Sequence, residues 1–283
     1  MGRAKRISLS IQAKESFFPK VAETGVTFVE LSSRPPLSGR ITSLVSALKS
    51  VGLTATSLHG PTGIHYDIGN PDVVERERAL ELHKEGLKLG NSLGVEYYVI
   101  HPGFEVYLDE IGGRWDDARK VIVFQRNETA LAKLWATNAR SISILGDFAE
   151  CIGVKIALET GPTNLISMGE TLRIVREAKS DNVGICLDTG HVNVGSLLKP
   201  HDAIKEVGGL LWVLHLHDNN GEGDLHLPPG KGDIDWAEVI RALAQVSYAG
   251  TYNIELDASL DWDSEGTWSQ AKEAVSFLST ALG

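Results

Sequence analysis

Cysteine is nearly missing from this 283-residue sequence: Cys151 and Cys186 are the only two, and they show no paired spacing. That argues against a disulfide scaffold and for a reducing compartment. Basic runs are missing as well. Lys and Arg number 27 against 37 Asp and Glu, for a net charge of −10, and the basic start from Met1 to Arg6 is too short to form a patch. A surface this acidic repels phosphodiester backbones, so nucleic acid is not expected as a partner. No apolar run reaches the ~18 residues of a membrane span, and the start has no apolar core of a secretion signal. A cytoplasmic, soluble protein is expected. The Gly-rich dinucleotide fingerprint that follows the first strand of nucleotide-binding sheets is absent, and nothing points to a nucleotide, flavin or haem.

What is present is a rhythm. Short β-rich apolar runs recur at Ile7–Ile11, Val26–Leu31, Ala55–Leu58, Tyr97–Ile100, Lys155–Leu158, Gly184–Leu187, Leu211–Leu216 and Tyr252–Leu256. Each is followed by a helical pattern, which predicts βα units and a parallel sheet covered on both faces. Asp72 with Glu75 reads as a helix start ahead of Ala79, Leu82, Gly86, Leu89 and Leu93. Ser167 with Glu170 repeats the signal before Leu172, Val175 and Ala178. Gly94 and Gly153 stand where helices should stop. Eight such repeats fill a closed (β/α)8 TIM barrel, a single α/β domain over residues 1–283, better than an open doubly wound sheet. Residues 104–127 fit the rhythm poorly, and such an excursion on a barrel either shapes the substrate pocket or is an ordinary surface detour. A long helix from Glu128 to Ile152 is expected after it.

In a β/α barrel, catalytic side chains come from the C-terminal ends of strands. The third run ends in His59, the fourth in His101, the fifth in Glu159, and the sixth in Asp188-Thr189-Gly190-His191. The seventh gives His215-Leu216-His217-Asp218, then Asp224-Leu225-His226, and the eighth gives Glu255. A single His or Glu at such a place is usually structural. Six consecutive strand ends bearing ligand-type residues are not explained that way. Glu159, Asp188, Asp224 and Glu255 in one pocket would repel one another at low dielectric, and bound divalent cations remove the repulsion. Imidazole with carboxylate suits zinc, manganese, iron or cobalt better than magnesium.

These residues resemble the xylose isomerase-like TIM barrel superfamily of sugar phosphate isomerases and epimerases and endonuclease IV-like proteins. The most specific pieces are Leu187-Asp188-Thr189-Gly190-His191 and the segment from His215-Leu216-His217-Asp218 through Asp224-Leu225-His226 to Gly232. The resemblance implies up to three metal ions. His59, His101 and Glu159 would hold the first. Glu159 would bridge to a second, held also by Asp188, His215 and Glu255, and His191, Asp224 and His226 would hold the third. Sugar epimerase-like members need only the central four, and their two glutamates, Glu159 and Glu255 here, also move protons beside the substrate carbonyl.

The expected activity is therefore a divalent-metal-dependent sugar or sugar-phosphate isomerase or epimerase, with zinc or manganese in one to three sites. The alternative is a zinc-dependent endonuclease IV-type nuclease acting at abasic DNA. Leu225 replaces an Arg of the nuclease pattern, and Gly60-Pro61-Thr62 stands where nucleases carry a DNA-wedging aromatic. Arg34, His217 and Lys231 are expected to contact substrate. His217 points the same way as His215 on a regular strand and competes with it as a ligand, with His215 preferred. His65, His83 and His201 read as loop or helix-surface residues.

Overall fold

The computed structural model describes residues 5–33, 37, 39–110, 113–119, 121–123, 127–163 and 165–283. In chain order its strands are β1 (Arg6–Gln12), β2 (Phe28–Ser32), β3 (Thr54–His59), β4 (Tyr97–Ile100), β5 (Arg114–Asp116), β6 (Val121–Val123), β7 (Lys155–Glu159), β8 (Val183–Asp188), β9 (Leu211–Leu216) and β10 (Thr251–Ile254). Eight close a parallel barrel in the order β1, β2, β3, β4, β7, β8, β9, β10, with β10 pairing back onto β1. Each of the eight apolar runs forms one of these strands. Outside the ring lie helices α1 (Phe18–Glu23), α2 (Ile41–Ser50), α3 (Val73–Leu93), α4 (Tyr107–Glu110), α5 (Glu128–Ile152), α6 (Met168–Ala178), α7 (Thr189–Gly195), α8 (Pro200–Val207), α9 (Trp236–Gln245) and α10 (Glu265–Leu282).

Alternation along the strands sorts side chains between two cores. Tyr98, Ile100, Ile156, Leu158, Ile185, Leu187 and Leu214 join the large core between strands and helices. Their neighbours Val99, Ala157, Cys186 and Val213 form a separate small cluster, which places them inside the ring. Two residues further along, at the same parity, stand His101, Glu159, Asp188 and His215. The barrel's own periodicity thus aims these four into the mouth, one layer above an apolar plug.

Local signals act as expected where backbone demands them. The Asp72 carboxylate accepts from the Val74 and Glu75 amides at the start of α3, a cap worth about 1 kcal/mol. Gly94 and Gly153 end α3 and α5 with φ of 78° and 73°, where an L side chain would be strained. Ser167 departs from the capping pattern: it precedes α6, but its hydroxyl bonds the Glu170 carboxylate rather than a backbone amide. The buried stripe of α3 is also shifted from the expected one. It runs through Ala79, Leu80, His83, Gly86, Leu87 and Gly90, while Leu82 faces solvent. His83 is therefore a core residue, contrary to the sequence expectation. Its Nε2–H donates to the Tyr66 carbonyl (3.0 Å) and its Nδ1 accepts from the Tyr98 hydroxyl (3.1 Å). Burial pushes its pKa down to about 4. His65 is exposed and His201 half-buried, as expected.

The irregular stretch after β4 contains α4 and the antiparallel β5–β6 hairpin. Neither was foreseen, because three-residue strands are too short to carry a pattern.

Candidate metal centre and active site

The ligand-type residues converge as three groups. In the first, His59 and His101 place Nε2 at 3.1 and 2.8 Å from Glu159 Oε2. In the central group, His215 Nδ1 lies 3.0 Å from Glu159 Oε1 and 2.8 Å from Glu255 Oε2, with Asp188 alongside. In the third, His191 Nε2 and His226 Nε2 each lie 3.3 Å from Asp224 Oδ2. His217 joins this third group rather than the central one. Around a divalent ion with bonds of about 2.0–2.2 Å, neighbouring donors stand roughly 2.9–3.5 Å apart, so these separations suit a bound metal.

Satisfaction of the polar atoms points the same way. Asp188 Oδ2, Asp224 Oδ1, His226 Nδ1 and His217 Nδ1 are buried with no hydrogen-bond partner, and Glu255 Oε2 and His217 Nε2 make only unaligned close approaches, to His215 Nδ1 and Asp188 Oδ1 at 2.8 Å each. Orphaned polar atoms in a protein interior call for a ligand or ion. The donor set of imidazoles and carboxylates fits zinc, manganese or a similar transition ion.

Local structure fixes the histidine rings. His59 Nδ1–H donates to the Gly60 carbonyl (2.8 Å), which leaves Nε2 to face Glu159. His191 Nδ1–H donates to the Thr160 carbonyl (2.6 Å), which leaves Nε2 to face Asp224. Asp188 caps α7 by accepting from the His191 amide (2.7 Å), so one residue both holds the helix start and offers its second oxygen to the site.

Charge balance inside the group is delicate. Burial disfavours the imidazolium of His59, yet Glu159, helped by Glu30 and Glu255, raises it to about 9. His226 rises to about 9 against burial, chiefly through Asp224. His191 and His215 are raised in the same manner by the carboxylates around them. Burial alone would raise Glu159, Asp224 and Glu255, but the facing histidines hold all three below the usual carboxylate range. Without metal, the cluster neutralises itself as imidazolium–carboxylate pairs. A divalent cation bound here would take over that role by displacing the protons.

The third group is carried by an anchored loop. Asp218 and Leu227 exchange backbone hydrogen bonds of 2.7 and 2.9 Å and pinch its neck. The buried Asp218 carboxylate accepts from the amides of Asn219, Gly230 and Ile234 and from the Trp236 indole, at 2.8–3.2 Å. At the crest, the Asp224 amide donates to the Arg119 carbonyl (2.8 Å) in the β5–β6 turn.

Above the groups opens a cavity of about 520 Å³. Its floor includes His59, His101, Glu159, His191, Asp224 and Glu255, and its wall includes Phe104, Trp115, Ile122 and Trp262. Residues 104–127 therefore do shape the pocket. No Lys or Arg lines it among the described residues. Lys231 stands elsewhere, exposed and paired with Glu273 at 3.4 Å. Arg34 lies outside the described residues. Sequence reasoning overlooked Glu30, which is completely buried against His215, and the anchoring role of Asp218. The signal for Glu30 was available: a carboxylate interrupts the apolar run from Val26 to Leu31.

A family model described as xylose isomerase-like TIM barrel matches residues 18–280. An uncharacterized protein of Methanocaldococcus jannaschii is 30% identical over 196 residues, covering 67% of this chain and 61% of that protein. The chain thus spans about three fifths of that relative's length. D-psicose 3-epimerase of Ruminiclostridium cellulolyticum is 26% identical over 246 residues, 84% of this chain and 76% of that one. A solved D-psicose 3-epimerase from Clostridium cellulolyticum H10, with D-tagatose, shares the fold at a TM-score of 0.78 and 20% identity, covering 98% of this chain and 99% of that one. A probable endonuclease 4 of Mycoplasmoides gallisepticum is 27% identical over 243 residues, 78% of this chain and 74% of that protein.

Proposed function

The chain belongs to the xylose isomerase-like TIM barrel family, and from that premise we propose that it is a divalent-metal-dependent epimerase or isomerase of a ketose sugar. The observation that carries the reading is the convergence of Glu159, Asp188, His215 and Glu255, of which Glu159 and Glu255 form part of the floor of a sugar-sized cavity while Asp188 and His215 are fully buried. The substrate is a sugar or a sugar phosphate; the described lining holds no Arg or Lys, and Arg34, the expected phosphate contact, lies outside the described residues. The substrate contact expected of Lys231 is not made in this cavity, which Lys231 does not line.

A divalent ion held by these four residues supplies Lewis acidity beside the substrate carbonyl, which acidifies the neighbouring C–H bond. Glu159 and Glu255 then act as the proton-moving pair. One carboxylate takes the proton from the carbon next to the carbonyl; the other, having first taken up a proton from solvent, delivers it to the opposite face of that carbon, and the two exchange roles through solvent for the next turnover. In the metal-free cluster His101, His215 and His226 hold both in the ionised form, and a bound cation would favour the same form, so a base is ready before substrate arrives. Phe104, Trp115 and Trp262 cover the sugar and exclude water that would compete for the proton.

The test is solvent-proton exchange into a panel of free ketoses by the metal-loaded protein. Exchange is expected in the wild type and is expected to fall by about 10²–10⁴-fold in Glu159→Gln and Glu255→Gln. Exchange that survives both changes removes them as acid and base.

One observation favours a second reading. All nine residues of a three-metal hydrolytic site are present and grouped, as phosphodiester cleavage at abasic DNA requires. The net charge of −10 and Gly60-Pro61-Thr62 in place of a wedging aromatic oppose it. Nicking of an abasic duplex above a metal-stripped control would reverse the order of the two readings.

A further inference from the structure

We propose that Glu30 is a positioning residue that locks His215 in the tautomer able to bind the central metal. The proposal rests on the central metal of the reading above, but not on the sugar chemistry.

Glu30 lies in the middle of β2, in regular register with β1, and one extra residue on β3, Thr56, sets Ser57 opposite it. Bulges of this kind re-aim a side chain. Glu30 is completely buried, and it shares the inward parity of the barrel's polar layer, which includes Ser8, Ser10, Ser57 and Asn253. The Ser57 hydroxyl donates to Glu30 Oε2 (2.7 Å) and the Ser10 hydroxyl to Oε1 (3.3 Å), so both serines hold the carboxyl group in place. His215 Nε2 lies 3.0 Å from Oε1 and 3.2 Å from Oε2, with the buried Cys186 thiol also beside the pair.

The other nitrogen of the same ring, Nδ1, faces Glu159 and Glu255 at 3.0 and 2.8 Å. A neutral imidazole carries one N–H, and a metal ligand must keep its lone pair free. Because a carboxylate only accepts, Glu30 draws the proton to Nε2 and leaves Nδ1 bare toward the metal. The same device recurs at His59 and His191, where backbone carbonyls of Gly60 and Thr160 hold the far nitrogen. His215 differs in two ways: its ring is turned end for end, and its acceptor is a carboxylate. A charged acceptor also strengthens the imidazole as a donor, and partners of this kind typically contribute about 10–100-fold in metal affinity. A merely structural role, filling the barrel's polar layer, predicts a loss of stability but no specific loss of affinity.

The experiment measures affinity of the central site for Mn²⁺ by competition with a chelator, alongside thermal unfolding of the stripped protein. Glu30→Met removes the acceptor and is expected to weaken Mn²⁺ binding by at least about 10-fold. Glu30→Gln keeps an acceptor oxygen without the charge and is expected to fall between Glu30→Met and wild type, a partial rescue. Mn²⁺ affinity within twofold of wild type in both variants overturns the proposal. Should Glu30→Met fail to fold, imidazole ¹⁵N spectra of the Zn²⁺-loaded wild type decide the matter. A protonated, exchange-protected Nε2 on His215 supports it, and a protonated Nδ1 overturns it. Wild-type protein that binds no metal at all would instead sink the metal reading itself, a distinguishable outcome.

Discussion

Replacing Asp218 with asparagine takes away one of the two oxygens from which the loop carrying Asp224 and His226 hangs. Oδ1 accepts from the Asn219 and Ile234 amides, and Oδ2 from the Gly230 amide and the Trp236 indole. Asparagine has one oxygen and an NH₂ group. Whichever way the amide turns, two buried N–H donors lose their acceptor and face another donor. Hydrogen bonds to a charged group contribute about 1.5–3 kcal/mol each, so the change should cost roughly 3–6 kcal/mol. Domains of this kind are held by roughly 5–15 kcal/mol in total, so the loss falls first on the loop and its neck at Leu227. At about 2–4 °C per kcal/mol, the unfolding temperature should drop by at least ~6 °C. The assay is calorimetric unfolding of stripped and metal-loaded Asp218→Asn against wild type, with hydrogen exchange read at the Gly230 amide. Loss of the loop also predicts loss of one tightly held metal, because Asp224 and His226 ride on it. A drop under about 2 °C with Gly230 still protected would refute the reasoning.

Two further outcomes follow from the structure. His83 is buried and neutral, with a folded pKa of about 4 against 6.5 for the ordinary residue. Between those values the unfolded chain binds more protons, so stability is full above about pH 6.5 and declines as pH falls toward 4. The contribution is on the order of 3 kcal/mol, and the denaturation midpoint of His83→Gln should lose that part of its slope over this window. Equal slopes in the two proteins would contradict the assignment. Metal removal is the second. A ligand present at about 1,000 times its dissociation constant adds roughly 4 kcal/mol, so chelation should lower the unfolding temperature by about 8 °C or more, and added Zn²⁺ or Mn²⁺ should restore it. An unfolding temperature indifferent to chelator and ion would argue against any tight metal site.

The eight strands were legible because a parallel strand buried on both faces is written as an uninterrupted apolar run, and Val183–Asp188, buried at every position, is the clearest instance. The clustered His, Asp and Glu residues were legible because strand ends fall at the ends of those runs. His217 was ambiguous for the same reason. Period-two alternation gave it the direction of His215, but β9 ends at Leu216, and the chain beyond it carries His217 into the third group. Glu30 was overlooked because it lies inside a strand, where polarity was not looked for. The misreading of His83 came from taking Leu82 and Leu89 as the buried stripe of α3; the alternative through Leu80, Leu87 and Gly90 has equally good helical spacing. The β5–β6 hairpin and the fastening of the Asp218 loop depend on backbone hydrogen bonds between distant segments, which no local pattern encodes.

The bond from the Asp224 amide to the Arg119 carbonyl ties the rim of the cavity to its floor. Gly223 passes so near the same turn that a Cβ there would lie 2.5 Å from the Arg119 oxygen. Barrel enzymes are usually free to change substrate by lengthening or rewriting a loop while the catalytic floor stays put. Here that freedom is curtailed on one side. An insertion in the hairpin would displace the loop that carries Asp224 and His226 along with the wall that Trp115 and Ile122 provide. Divergence toward new substrates has an easier route through the opposite wall, beyond Glu255 and Leu256, where Ala258 and Trp262 border the cavity without belonging to any of the three groups.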